Sequence, residues 1–144
     1  PLEVAGHLEK ALEYSRDKPE MTRDLSIQLG RICLRLGKPK RGIAGMQRVI
    51  SQEPTNAGVV ELYGVLHAAG GDQEKAETIL RRALELCGDD ERTRGSVLHN
   101  LGLLYLQLEN SSRAIEHFEE AVLLNPDNGP AKKILEELRA RKEP

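Results

Sequence analysis

Apolar residues recur every three or four positions along nearly the whole chain, and nowhere do they alternate as in a strand. Leu2, Val4, Ala5, Leu8, Ala11 and Leu12 make one stripe. Leu25, Leu29, Ile32, Cys33 and Leu36 make the next, and Ile43, Met46, Val49 and Ile50 another. That period predicts amphipathic helices, seven or eight of them in antiparallel pairs, with no sheet. Turn residues separate the stripes. Asp17-Lys18-Pro19 breaks the first helix, because proline removes a donor and clashes with the preceding turn, and Thr22 is placed to cap the second. Gly37 followed by Pro39 marks a stop and a restart. Gly70-Gly71-Asp72 makes a turn with Asp72 as a helix cap, and Asn110 occupies the same place later. Pro126-Asp127-Asn128-Gly129 precedes a last helix over 130–141.

The stripes belong to a repeat. Leu29-Gly30, Tyr63-Gly64 and Leu101-Gly102 recur at spacings of 34 and 38 residues. The same offsets relate Gly42, Ala76 and Ala114, then Met46, Leu80 and Phe118, then Val49, Ala83 and Ala121. Pro54 and Pro126 close two copies, and Gly88 stands in that place in the other. A period near 34 signals helix–turn–helix units. Such units bury their apolar faces only by stacking into a solenoid. The chain divides into residues 1–22, the second helix of a partial repeat; full repeats over 23–56, 57–90 and 91–128; and a C-terminal helix over 129–144. Glu91 to Arg94 are four extra residues, enough to add about one turn to the helix they precede. The opening inside a half-repeat, without an initiator Met, reads as a piece of a longer array. Gly42 and Gly45 inside a helix each cost about 1 kcal/mol relative to Ala, which close packing against the preceding helix would explain.

Composition narrows the function. Of 144 residues, 39% are hydrophobic but only 3% aromatic, with no Trp, so the core is aliphatic and base-stacking anchors are scarce. The net charge of −2 favours neither nucleic acid nor an anionic membrane, and no apolar run is long enough for a membrane span. Cys33 falls in the interior position held elsewhere by His67 and Tyr105. Cys87 lies at a helix end, one repeat away. That spacing argues against a disulfide and for a reducing, cytoplasmic setting. Charge is uneven: residues 23–56 carry net +5 and residues 57–90 net −4. The basic stretch lacks the interleaved aromatics that single-stranded nucleic acid would want.

No catalytic constellation is legible. His7, His67, His99 and His117 lack metal-ligand spacing; His67 reads as core and His99 as exposed. No nucleophile is ordered beside a base, and Gly70-Gly71 lacks the strand and lysine of a phosphate loop. No metal or cofactor is expected. Glu77 and Arg81, four apart, give their helix modest support. The more useful signal is apolar excess on the first helix of each repeat. Ile27 and Leu34 lie off the core stripe, with Arg31 between them. Leu103 and Leu106 lie off the stripe of Leu98, Leu101, Tyr105 and Leu108.

These repeats resemble tetratricopeptide repeats. The third copy carries the family's pattern nearly in full: Leu98, Leu101-Gly102, Tyr105, Ala114, Phe118, Ala121 and Pro126. The second departs at Gly88, and the first departs most, with Ser26 in its opening position. The resemblance implies an all-α solenoid wound as a right-handed superhelix, ended by a solvating helix. In the family the first helices line a concave groove. Carried over, the groove here takes Asp24, Ile27, Arg31, Leu34 and Arg35 from the first repeat. The second repeat adds Glu61, Val65 and Ala68; the third adds Ser96, His99, Leu103 and Leu106. Some family members clamp an acidic chaperone tail with Lys and Asn one turn apart. Those places hold Ile27 with Arg31, Glu61 with Val65, and His99 with Leu103, so the clamp is absent and Glu61 would repel a carboxylate. The expected role is a non-enzymatic scaffold or adaptor, binding an amphipathic protein segment with acidic flanks that Arg31 and Arg35 orient. Two other readings stay open: self-assembly into a homo-oligomer through the N-terminal edge, and a regulatory domain within a larger enzyme.

Overall fold

Hairpins of helices account for the chain in the computed structural model, which describes residues 2–142. Among these residues there are eight helices and no strand. A lone α1 (Leu2–Tyr14) precedes three pairs: α2 (Pro19–Arg35) with α3 (Pro39–Gln52), α4 (Ala57–Ala69) with α5 (Gln73–Leu86), and α6 (Glu91–Gln107) with α7 (Ser111–Leu124). The last helix is α8 (Gly129–Lys142). Each helix packs on the next in sequence, and α4 also touches both α2 and α6. The result is the all-α solenoid that the periodicity predicts.

Caps explain most of the starts. Asn56, Asp72, Asp90 and Asn110 each accept the backbone N–H three residues on, so α4, α5, α6 and α7 begin with one orphan donor satisfied. The first helix pair differs from the sequence expectation at its entry. Thr22 caps nothing: it is buried four residues inside α2, and its hydroxyl donates to the Ser15 carbonyl at 2.7 Å. Pro19 starts α2 instead of merely stopping α1, because its missing N–H is no loss at a first helical position. Consequently α2 is as long as α6, at 17 residues each. The extra turn at Glu91–Arg94 therefore has a counterpart at Pro19–Thr22. Leu108, read as part of a core stripe, sits at the end of α6 and is 43% exposed.

The recurring glycine brings helices together. A Cβ on Gly102 would lie 2.8 Å from the Phe118 ring, one on Gly64 2.8 Å from Leu80, and one on Gly30 2.9 Å from Met46. In each pair the glycine of the first helix receives the large residue of the second. Gly45 is tight against Leu29 of the preceding helix, as expected. Gly42 meets Cys33 on that helix at 3.0 Å but is pressed harder by Leu66 of α4, at 2.6 Å. Its small size thus serves the stacking of one pair on the next.

One buried cluster runs from Val60 through Leu80, Leu101, Tyr105 and Phe118 to Ala131, Leu135 and Leu138 of α8. A second gathers Met46, Val49, Val59, Tyr63 and Leu66, and a third holds Ala5, Leu29 and Cys33. Cys33 and Cys87 are both buried and unbridged, and burial raises both thiol pKa values. Polar ties reinforce the stack as well. Tyr105 donates to Glu77 at 2.7 Å, Arg81 donates to both, and the Arg113 guanidinium lies 5.5 Å from the Tyr105 ring centre. Glu77–Arg81 is thus part of a network linking α5 to α6 and α7, more than one surface pair. Arg41 of α3 pairs with Glu9 of α1 and holds that carboxyl below its ordinary range.

Candidate binding cleft

The N-terminal halves of α4 and α6 and the middle of α2 enclose an open cleft of about 660 Å³. Helix α2 contributes Ile27 and Arg31. Helix α4 contributes Val59, Glu61, Leu62 and Val65 and is preceded there by its cap, Asn56. From α6 come Arg92, Thr93, Ser96 and Asn100, beside its cap Asp90. The spacing 92, 96, 100 puts three α6 side chains on one face. Ile27, Leu62 and Val65 form the apolar wall and also pack on the core, which fixes their positions.

Glu61 is the best-defined polar group in the cleft. Its Oε1 accepts from the Ser96 hydroxyl and from Asn100 Nδ2, the latter at 2.8 Å. Both donors come from the next repeat, so the carboxylate is aimed by a neighbouring helix. Burial raises its pKa from 4.5, while Ser96, Asn100 and the more distant charge of Arg31 pull the other way. Asp90 is held below its ordinary value by the side chain and backbone of Thr93. Neither Arg31 nor Arg92 has an acidic partner within 4 Å among the described residues.

Of the groove residues read from sequence, the cleft brings together Ile27, Arg31, Glu61, Val65 and Ser96. The others lie elsewhere. Asp24 is exposed and accepts from Arg23 at 3.3 Å. Leu34 packs against the Met46 cluster and Ala68 against the long one. Arg35 borders a shallow apolar hollow with Val4, Ile32 and Leu36 at the N-terminal edge. Leu103 is 36% exposed. Leu106 lines a separate cavity of about 510 Å³ with Ile134 and Leu138 of α8. His99, expected to be exposed, is half-buried with its ring edge-on to Phe118 at 5.6 Å. Its Nδ1 is buried without a hydrogen-bond partner, and burial lowers its pKa. The ring turns toward its own second helix, where apolar contact outweighs exposure. Its neighbour Asn100 takes the place on the cleft instead. Sequence reasoning missed Asn100, although it follows Ser96 by four residues. It also missed Asn56 and Asp90, which stand 34 apart and each directly precede a helix.

No histidine lines the cleft, and among the described residues no three His, Cys, Asp or Glu side chains are grouped to hold a metal ion. No described helix is long and apolar enough to cross a membrane. The cleft offers an apolar wall, acceptors and fixed charges, which is the equipment of recognition.

Comparison with known proteins agrees with this architecture. The tetratricopeptide repeat family profile matches residues 57–122. Anaphase-promoting complex subunit 3 of Schizosaccharomyces pombe is 29% identical over 83 residues, which cover 58% of this chain and 12% of that subunit. A Thermobaculum terrenum O-GlcNAc transferase superposes with TM-score 0.73 at 26% identity, over 84% of this chain and 22% of the transferase. The chain thus matches about an eighth of the first protein's length and about a fifth of the second's. The second tetratricopeptide domain of human RPAP3, solved with an HSP70 peptide, gives TM-score 0.69 at 23% identity, over 84% of this chain and 98% of that one. Repeats of this kind are generally non-catalytic interaction modules. Residues 57–122 thus belong to the tetratricopeptide repeat family, and the glycine-registered pair before them shares its helix packing.

Proposed function

We propose that this chain is a non-catalytic scaffold or adaptor that binds a peptide or helix of a partner protein in the cleft between α2, α4 and α6. The observation that carries the reading is the cleft itself: an apolar wall of Ile27, Leu62 and Val65 beside two arginines with no acidic partner among the described residues. An amphipathic segment supplies apolar anchors to the wall and acidic residues to Arg31 and Arg92. Such charges set register and partner choice more than raw affinity. The peptide held by the human RPAP3 domain supports a peptide as the ligand class.

Dodecapeptides selected from a random phage-display library against the chain test this. Arg31→Glu combined with Arg92→Glu, both on the cleft, is expected to weaken the selected peptides at least tenfold, or about 1.4 kcal/mol. Both side chains are exposed, so the melting temperature should stay near that of the parent. A folded double variant that binds normally would exclude the concave face.

A second reading rests on the N-terminal edge, where Leu2 is 57% and Val4 47% exposed beside the apolar hollow at Ile32 and Leu36. Stacking of two copies through that edge would make the sedimentation coefficient rise with concentration. A Val4→Lys variant would abolish the rise.

A further inference from the structure

We infer that the cleft takes a lysine or arginine side chain of its peptide ligand at Glu61, whose carboxylate is held by the next repeat with one oxygen unused. The inference rests on the proposal that this cleft is the binding site, and it names the residue class that the site selects.

Ser96 and Asn100 both donate to Oε1 of Glu61. Oε2 has no protein donor among the described residues, although the carboxylate lines the cleft. An ionised carboxylate accepts up to about four hydrogen bonds, so two held on one oxygen leave the other able to take a charged donor. Burial makes this group costly to leave unpaired, and among the described residues no cation lies within 4 Å of it. The other acid on the rim cannot serve in the same way. Asp90 spends Oδ1 on the Thr93 N–H and Oδ2 on the Thr93 hydroxyl. The wall beside Glu61 suits the stem of a long cation. Ile27, Leu62 and Val65 can cover its methylenes while its head reaches the carboxylate. Arg31 and Arg92 stand on opposite sides of Glu61, from α2 and α6. They would repel a uniformly basic ligand. The ligand is therefore a protein segment in which one central basic residue is flanked by apolar and acidic ones.

A double-mutant cycle on dodecapeptides selected by phage display against the intact chain tests this. The peptides are synthesised with their central Lys or Arg, and again with that residue replaced by norleucine. Each is titrated against the parent chain, Glu61→Gln and Arg31→Glu. Glu61→Gln keeps an acceptor for Ser96 and Asn100, and circular dichroism checks that it stays folded. The expected result is a shared basic residue whose replacement costs at least tenfold on the parent chain and less than twofold on Glu61→Gln. Peptides that lose affinity with Arg31→Glu but show no coupling to Glu61 would overturn this inference and leave the cleft intact as the site. Failure to select any peptide sensitive to Arg31→Glu would overturn the inference together with the reading it rests on.

Discussion

At the scale of single residues, the repeat shows which positions are constrained by backbone and which by packing. Gly37 and Gly71 turn the chain between the first and second helices of their pairs with φ of 63° and 86°. The same place in the third pair holds Glu109, at φ 57°. A side chain in this left-handed region costs about 1–2 kcal/mol, because Cβ crowds the following carbonyl. Glu109→Gly should therefore raise the unfolding free energy by about 1 kcal/mol, less the extra entropy of an unfolded glycine. Urea melts of the two proteins check it, and a midpoint that fails to rise would show that the strain is offset by a contact of the side chain. The glycines at 30, 64 and 102 were legible in the sequence because spacing and residue type agreed. Glu109 was marked by its spacing from Gly71 alone, and its residue type hid it. His99 misled for the opposite reason: its place in the repeat matches Glu61, but an imidazole gains more against the Phe118 ring than a carboxylate would.

At the scale of elements, helix starts separate the first repeat from the rest. Asn56, Asp90 and Asn128 stand directly before α4, α6 and α8 and cap them. Asp72 and Asn110 stand before α5 and α7. The corresponding residues before α2 and α3 are Lys18 and Lys38, and neither makes a side-chain cap. This is why the start of α2 was misplaced by four residues on sequence grounds: without a capping residue at 18, the nearest hydroxyl was Thr22. Each lysine also sets a positive charge at the positive end of a helix dipole. Lys38 has φ −118° and ψ 54°, close to the capped Asn110 at −100° and 77°. Lys38→Asp therefore needs no backbone change and should stabilise the chain by about 1 kcal/mol. Hydrogen exchange resolved by residue should show the gain concentrated in the first turn of α3. Equal protection there in both proteins would refute the local origin of the effect.

At the scale of the whole molecule, stability is shared along a stack whose units hold one another, so its response to conditions is the sum over repeats. Burial lowers the pKa of His67, His99 and His117 from the ordinary 6.5. The unfolded chain then takes up these protons first as pH falls through 6.5. Stability is full above that value and is lost on acidification toward the lower folded values. Glu61, raised by burial, acts in the opposite direction at lower pH. The melting temperature should accordingly drop between pH 7.5 and 5.5, and His99→Leu should flatten that drop. A flat profile in the parent chain would contradict the histidine account. The last helix, α8, departs from the repeat pattern in a way that can be tested. Thirty-four residues beyond Leu98, Leu101, Gly102 and Tyr105 stand Lys132, Leu135, Glu136 and Arg139 of α8. The core-facing leucine is kept and is buried, as are Ala131 and Leu138. The glycine that would admit a following helix has become an exposed glutamate, and the aromatic has become Arg139, which donates to Glu119 of α7 at 2.6 Å. One face of α8 thus continues the core while the other is exposed. Leu135 and Leu138 should each contribute about 1.5–3 kcal/mol by burial. Removing residues 129–144 would also uncover the apolar surface beneath them. The truncated chain should melt at lower temperature and aggregate on concentration, whereas Leu135→Ala alone should lower the melting temperature with the chain still monodisperse. A truncation that keeps the parent melting temperature and stays monodisperse would show that α8 is an appendage and that the stack ends at α7.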